Sequence, residues 1–302
     1  MHVAEAGEGF PVVMCHGFPE LWYSWRHQLT FLAEHGFRAI APDMRGYGET
    51  DAPADPLEYR TSVICSDIAG LLDALGLEKA VIAGHDWGGY HIWQFGLRYP
   101  GRTERLIGLN TPYSAPPADL PTTRLLHQRF GEGDRGYYML YFQEPGQAEA
   151  ELNPDPRAFL RDMFHRASHA ENLWTFATLG GDGSGVTKNL RPGGSLLTEA
   201  ELDVYANAFE RTGFSGGLNW YRAVDASWAE VRALTDHHIR VPAMMITAEN
   251  DLILTPAQAE PMKDWIADLR IENIKDCAHW TQQEKPAEVN ALMLDFLADL
   301  RG

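Results

Sequence analysis

The residues best suited to chemistry sit in Gly84-His85-Asp86-Trp87-Gly88, where two glycines bracket an acid directly after the apolar run Ala80-Val81-Ile82-Ala83. Such a run predicts a buried parallel strand, and the Gly-x-Asp-x-Gly break after it has the form of a nucleophile elbow carrying aspartate where serine is usual. A turn of this kind holds its middle residue at a strained positive φ and brings the next helix close to the strand, so the flanking positions must be small. The middle side chain is thereby offered at the C-terminal end of the strand, beside helix N–H groups that favour negative charge. On these five residues alone, Asp86 is explained equally well as a plain helix N-cap.

Two further residues decide between these readings. Asp251 follows the apolar run Val241–Ala248, and His279 lies in the turn after a strand expected near Arg270–Ile274. The chain order nucleophile, acid, histidine is that of the α/β-hydrolase fold. Singly, Asp251 would be a loop cap and His279 a surface histidine; at successive strand ends of one sheet they become a catalytic set with Asp86.

The elements that must position them alternate. Strands are expected at Pro11–Cys15, Phe37–Ala41, Ala80–Ala83 and Leu106–Leu109, with helices through Trp22–Leu32, Thr61–Leu75 (ended by Gly76) and Gly88–Tyr99 between them. This predicts an α/β class protein, a mostly parallel sheet flanked by helices. From Pro112 the texture changes to helical segments broken by Gly and Pro, with Gly180–Gly185 expected as a flexible loop. The expected organisation is a first core part over 1–110, an inserted helical cap over 111–235, and a second core part over 236–302, where a helix at Ala257–Leu269 and a last one from about Pro286 flank the final strand.

The chain has 302 residues and a formal net charge of −17, with pI near 5.0. It is long enough for a substantial core, and its surface should repel phosphate backbones, which excludes nucleic acid as a partner. No stretch has membrane-spanning length, the N-terminus lacks the pattern of a signal peptide, and the closing Leu300-Arg301-Gly302 is no peroxisomal tripeptide. Cys15, Cys65 and Cys277 are widely spaced and odd in number, which predicts reduced thiols and a soluble, cytoplasmic protein. Neither a cofactor nor a metal is expected: His165 and His169 are four apart but lack the zinc-protease glutamate, and read as a solvated surface.

Over nearly its whole length the chain resembles the soluble epoxide hydrolases, in particular the hydrolase domain of the mammalian enzyme and its bacterial relatives. The resemblance is carried by His16-Gly17-Phe18-Pro19, Gly84-His85-Asp86-Trp87-Gly88-Gly89, Tyr141-Phe142-Gln143-Glu144-Pro145-Gly146, Leu218-Asn219-Trp220-Tyr221-Arg222 and Cys277-Ala278-His279-Trp280. It implies Asp86 as nucleophile, Asp251 and His279 as the pair that activates water, and Tyr138 and Tyr221 in the cap as donors to the epoxide oxygen. Spacing alone cannot select Tyr138 from Tyr137 and Tyr141. One departure is expected: the family's first N-terminal strand, ahead of the one beginning near His2, is missing, at a sheet edge remote from the chemistry.

The chemistry fits these residue types. A serine that opened an epoxide would become an ether, whereas a carboxylate forms an ester, which water activated by His279 can cleave. With an ordinary pKa near ~3.9, Asp86 would be ionised at neutral pH. The backbone N–H groups of Phe18 and Trp87 would form the oxyanion hole. An epoxide leaves as an alkoxide and needs a donor such as tyrosine; a halide needs only N–H groups. A haloalkane dehalogenase with the same triad is therefore the alternative, although Phe18 occupies the position of the halide-binding side chain in many dehalogenases, and fluoroacetate dehalogenases carry arginine where this chain has Trp87. A non-catalytic ligand-binding member of the fold is the third reading. Phe18, Trp87, Phe142 and Trp220 predict an aromatic pocket for a small apolar substrate. His85 is expected to pack away from the nucleophile, and Asp43 and Arg45 to serve loop structure.

Overall fold

The computed structural model describes residues 1–114, 119–130, 136–179 and 185–301. Its seven-stranded sheet has the order β1-β3-β2-β4-β5-β6-β7. The strands are β1 (Val3–Ala6), β2 (Phe10–Cys15), β3 (Phe37–Pro42), β4 (Ala80–His85), β5 (Thr103–Leu109), β6 (Ala243–Ala248) and β7 (Leu269–Ile274). Only the edge strand β1 is antiparallel, paired with β3 from Val3 opposite Pro42 to Ala6 opposite Ala39. The other neighbours run parallel. Central strands β4 and β6 are buried at every position, which is why their sequences read as unbroken apolar runs rather than alternating ones.

Helices cover both faces. α1 (Arg26–Glu34), α2 (Thr61–Ala74) and α3 (Trp87–Arg98) follow the first strands. Gly76 ends α2 at φ +66°, with Leu77 N–H returning to the Leu72 carbonyl at 2.8 Å. Between β5 and β6 lie α4 (Thr122–Phe130), α5 (Tyr138–Tyr141), α6 (Gln147–Leu152), α7 (Pro156–Met163), α8 (Glu171–Ala177), α9 (Glu199–Thr212), α10 (Ser215–Arg222) and α11 (Val224–Arg232), and no named strand among the described residues. After β7 come α12 (Thr281–Glu284) and α13 (Pro286–Phe296). One apolar cluster lies on the α2/α3 face of the sheet and runs on into the inserted helices; a second lies between the sheet and α1 with α13.

Two expectations need correction. The helix expected over Ala257–Leu269 is a 3-10 segment, Pro256–Asp264, and Leu269 already opens β7. Pro261 removes an N–H and its ring opposes the carbonyl four residues back, so an α-helix cannot run through it. His165 is not on a solvated surface: it is fully buried and sits in a bridge to Ser195 rather than on a helix with His169. The loop expected at Gly180–Gly185 lies outside the described residues except for Gly185.

Candidate active site

Asp86 stands between β4 and α3 at φ +53°, ψ −121°. The strained turn exists because its neighbours have no side chain: a Cβ on Gly84 would run into the backbone of Gly88, and one on Gly88 into the Cys15 carbonyl. Thr111 Oγ1 donates to the Asp86 carbonyl at 2.7 Å, fixing the elbow to the chain that leaves β5. The carboxylate Oδ1 accepts from Phe18 N–H at 2.8 Å and the carboxylate also accepts from Trp87 N–H. Burial holds this carboxyl above its ordinary value, while His279, His85 and the two amides pull the other way. The expectation of an unperturbed carboxyl is thus amended.

His279 stands with Nε2 3.7 Å from Asp86 Oδ2 and Nδ1 2.8 Å from Asp251 Oδ2. Asp251 is itself saturated: Oδ1 accepts from Ile253 and Leu254 N–H at 3.0 and 2.9 Å, and Oδ2 accepts from Asn110 Nδ2 at 2.9 Å. Burial pushes the Asp251 carboxyl up, but His279, Leu254 N–H and Asn110 outweigh it and leave it below the carboxylate range. Burial pulls the His279 imidazole down; Asp251 and then Asp86 reverse this and raise it to about 9. A negative charge on each side favours the imidazolium.

Above these groups is a cavity of about 320 Å³. Asp86, His279, Phe18, Trp87, Tyr138 and Tyr221 all face it. Tyr138 opens α5 and Tyr221 lies in the last turn of α10, with ring centroids 5.5 Å apart. Gln143 Nε2 donates to the Tyr221 carbonyl at 2.9 Å and the Met139 carbonyl at 2.8 Å, and Arg222 Nε donates to the Phe142 carbonyl at 2.9 Å. The two short helices are thereby tied into one unit. Burial raises both phenols well above their ordinary value, with the neighbouring tyrosines and Asp86 adding to it, so both hydroxyls keep their protons.

Phe142 and Trp220, expected on the cavity wall, stand behind it. Phe142 is fully buried and its ring lies against Tyr221 and Tyr138 at 5.0 and 5.5 Å. Trp220 precedes Tyr221 by one helical position, so the two cannot face the same side. Its indole N–H donates to the Arg45 carbonyl at 2.9 Å, and its ring supports Trp87 at 6.3 Å.

Glu20, not anticipated from the sequence, lies beneath the site. Fully buried, its Oε2 accepts from Gly17 N–H at 2.9 Å and pairs with His85 Nδ1 at 2.7 Å. His85 Nε2 in turn meets the His279 carbonyl at 2.7 Å, so His85 is a structural link rather than simple packing. Gln282 Nε2 donates to Glu20 Oε1 at 2.8 Å. Burial pushes the Glu20 carboxyl up, but His85 and the Gly17 amide bring it down to about 2. The available signal was an acid three residues after Gly17, in a stretch otherwise apolar. Asp43 accepts from Trp22 N–H at 3.0 Å and Glu49 N–H at 3.2 Å, and Arg45 pairs with Asp67, in keeping with loop roles. Among the described residues no set of three His, Cys, Asp or Glu could hold a metal ion, and no helix is long and apolar enough to cross a membrane.

Residues 11–286 match the alpha/beta hydrolase fold family. The chain is 41% identical over 303 residues to bifunctional epoxide hydrolase 2 of Sus scrofa, covering 98% of this chain and 53% of that protein. It thus spans about half the length of that relative. It is also 41% identical over 308 residues to epoxide hydrolase A of Mycobacterium tuberculosis, covering 99% of this chain and 94% of that one. Among solved structures, an epoxide hydrolase from an endophytic Streptomyces aligns with TM-score 0.92 at 36% identity, covering 99% of this chain and 92% of that chain. Potato epoxide hydrolase I aligns with TM-score 0.84 at 34% identity, covering 99% and 95%. With likeness of this breadth in both sequence and structure, the chain belongs to the epoxide hydrolase family of the alpha/beta-hydrolase fold.

Proposed function

We propose that the protein hydrolyses an epoxide to a vicinal diol through an ester on Asp86. One observation carries this reading: two protonated phenols, Tyr138 and Tyr221, line the same cavity as an elbow aspartate. The carboxylate Oδ2 attacks a ring carbon, the carbon–oxygen bond breaks, and the tyrosines donate to the departing oxygen. His279, oriented by Asp251, then takes a proton from a water that attacks the ester carbonyl carbon. Charge collects on Oδ1, where Phe18 and Trp87 N–H stabilise it by roughly 3 kcal/mol each. Collapse breaks the acyl bond, the leaving oxygen takes its proton from the new Asp86 carboxyl group, His279 returns the water's other proton to the phenol that protonated the first oxygen, and the diol leaves with the former Oδ2. A halide leaving group would have no use for two phenols, and the relatives named as epoxide hydrolases support the same choice.

The helices of 111–235 act as the cap that carries both tyrosines and shields the ester from bulk water. The apolar lining suits an aryl or alkyl epoxide, and three buried free thiols suit work in a reducing cytoplasm. The test is turnover of styrene oxide by the native protein and Asp86→Ala, with a single turnover in ¹⁸O-water. Expected is diol that vanishes in the variant and carries no label at the newly added oxygen, the label remaining on Asp86. Label in the first diol would mean direct attack by water and refute the ester.

A further inference from the structure

Asn110 follows β5 at φ +62°, a left-handed conformation that asparagine tolerates and bulky or branched residues avoid. In a continuing strand Asn110 and Thr111 would point to opposite faces of the sheet. The left-handed turn instead sends both side chains to the catalytic groups. Asn110 Nδ2 donates to Asp251 Oδ2 at 2.9 Å, and Thr111 Oγ1 donates to the Asp86 carbonyl at 2.7 Å. Two successive residues thus tie the acid and the nucleophile elbow together. Asp86 ends the neighbouring strand β4, also at positive φ, so the backbone strain of the two strands is concentrated at one site.

The Asn110 amide can be set only one way round. An ionised Asp251 accepts and cannot donate, so the nitrogen faces it, and Asn110 Oδ1 then accepts from Thr281 Oγ1 at 2.7 Å. A continuous chain runs Thr281–Asn110–Asp251–His279, with steps of 2.7, 2.9 and 2.8 Å, and all four side chains are buried. The Ile253 and Leu254 amides hold only Oδ1 of Asp251. A carboxylate held at that oxygen alone could swing about it; Asn110 holds the other. That the donor is neutral matters. A lysine or arginine would also hold Oδ2, but its positive charge would cancel the one that Asp251 brings to bear on the His279 imidazole.

We propose that Asn110 is a positioning residue for ester hydrolysis: it fixes Asp251 Oδ2 so that His279 presents Nε2 to the water that attacks the Asp86 ester, and Thr281 keeps its amide in the orientation this requires. The proposal rests on Asp86 as the ester-forming nucleophile. Opening of the epoxide uses Asp86 and the two phenols and does not call on His279, so loss of the amide acts on the second half-reaction.

The experiment measures alkylation and ester hydrolysis in single turnovers of styrene oxide, together with the downfield proton resonance of His279 Nδ1–H on Asp251. Asn110→Gly removes the amide and still accepts positive φ without strain. In this variant hydrolysis should slow at least about tenfold, the loss expected for a hydrogen bond to a charged group. Alkylation should stay within about twofold of native, and the resonance should broaden or move upfield. Both rates are first-order constants of one turnover, so unfolded protein lowers the amplitude and not the rate. Should Asn110→Gly fail to fold, Thr281→Val and Thr281→Ser decide. The valine variant, which frees the amide to turn, should slow hydrolysis, and the serine variant, which keeps the hydroxyl, should restore it. A hydrolysis-to-alkylation ratio and a resonance that stay native in Asn110→Gly, or in Thr281→Val where that variant decides, would overturn the proposal and leave Asn110 a residue of the fold. Native protein that forms no ester from styrene oxide would instead fail the reading of Asp86, and the proposal with it.

Discussion

His279 Nε2 and Asp86 Oδ2 face each other across 3.7 Å, while the opposite ring nitrogen is held by Asp251 at 2.8 Å. The first gap is too wide for a hydrogen bond yet close enough for charge to matter. The imidazole is raised to about 9 by Asp251 first and Asp86 second. In the proposed mechanism His279 is the base, and a protonated histidine cannot take a proton from water. Esterification of Asp86 in that mechanism would remove one of the two negative charges and release the imidazole toward its neutral form. Asp86→Asn mimics that neutralisation, so the His279 pKa in the variant should fall by at least about one unit. A ring-proton NMR titration reads it directly. An unmoved pKa would mean that Asp86 does not set the state of His279.

Tyr221→Phe separates the two half-reactions. In the proposed mechanism the hydroxyl is needed when the epoxide oxygen leaves and not when water attacks the ester. A hydrogen bond to a charged group is worth about 1.5–3 kcal/mol, so alkylation should slow by roughly ten- to a hundredfold. Ester hydrolysis should be unchanged within about twofold. Single-turnover quenching resolves both rates, and unaltered alkylation would remove Tyr221 from the chemistry.

Burial without partners makes two histidines sensitive to acid. His91 has neither ring nitrogen bonded and stacks on Trp87 at 5.9 Å, while His165 lacks a partner at Nε2. Burial lowers them to about 3 and about 4 respectively. Unfolded, each takes a proton near pH ~6.5, so the unfolded chain binds more protons and stability falls as pH drops from about 6.5 toward 4. For His165 alone the linkage is roughly 3 kcal/mol. His91→Phe forfeits no hydrogen bond, so it should match the native protein at pH 7 and outlast it at pH 4.5 in urea unfolding. Parallel losses in the two proteins would refute the role of His91.

What could be read from the sequence and what could not divide along a physical line. Asp86 was legible because a strained turn needs glycine on both sides and a buried strand before it, all local features. Asp251 and His279 were legible because strand ends recur in chain order. The 3-10 segment at Pro256–Asp264 was missed although Pro261 lies inside it, because its apolar spacing imitates a helix. Phe142 and Trp220 were misplaced for a different reason. Trp220 adjoins the cavity residue Tyr221 in sequence, and adjacent residues point to different sides of a helix; Phe142, four residues after Tyr138, shares its side, but its ring is covered by Tyr138 and Tyr221. Glu20 was illegible because its partners Gly17, His85 and Gln282 are 3, 65 and 262 positions away, and only the fold assembles them.

Glu20 is accordingly the position at which a change outside the cavity should reach the chemistry. One oxygen holds Gly17 N–H, next to the Phe18 amide that serves Asp86; the same oxygen holds His85, whose other nitrogen meets the His279 carbonyl. Glu20→Gln puts an amide NH₂ where the carboxylate accepted, so a donor faces either the Gln282 amide or the Gly17–His85 side. Breaking a buried, fully paired carboxylate costs about 3–5 kcal/mol, reduced here because the isostere keeps one acceptor oxygen. Expected is a loss of about 2–3 kcal/mol in unfolding free energy. A group that only stabilised the fold would leave the rate constants of the surviving native protein intact. A group that positions His279 should lower the rate of ester hydrolysis at least tenfold while KM changes little, because the cavity wall is untouched. Glu20→Asp, which keeps the charge on a shorter arm, should recover part of that rate. Stability lost with hydrolysis unchanged would reduce Glu20 to a fold residue; both lost together, with partial rescue by aspartate, would make it the support from which the oxyanion amide and the histidine are aligned.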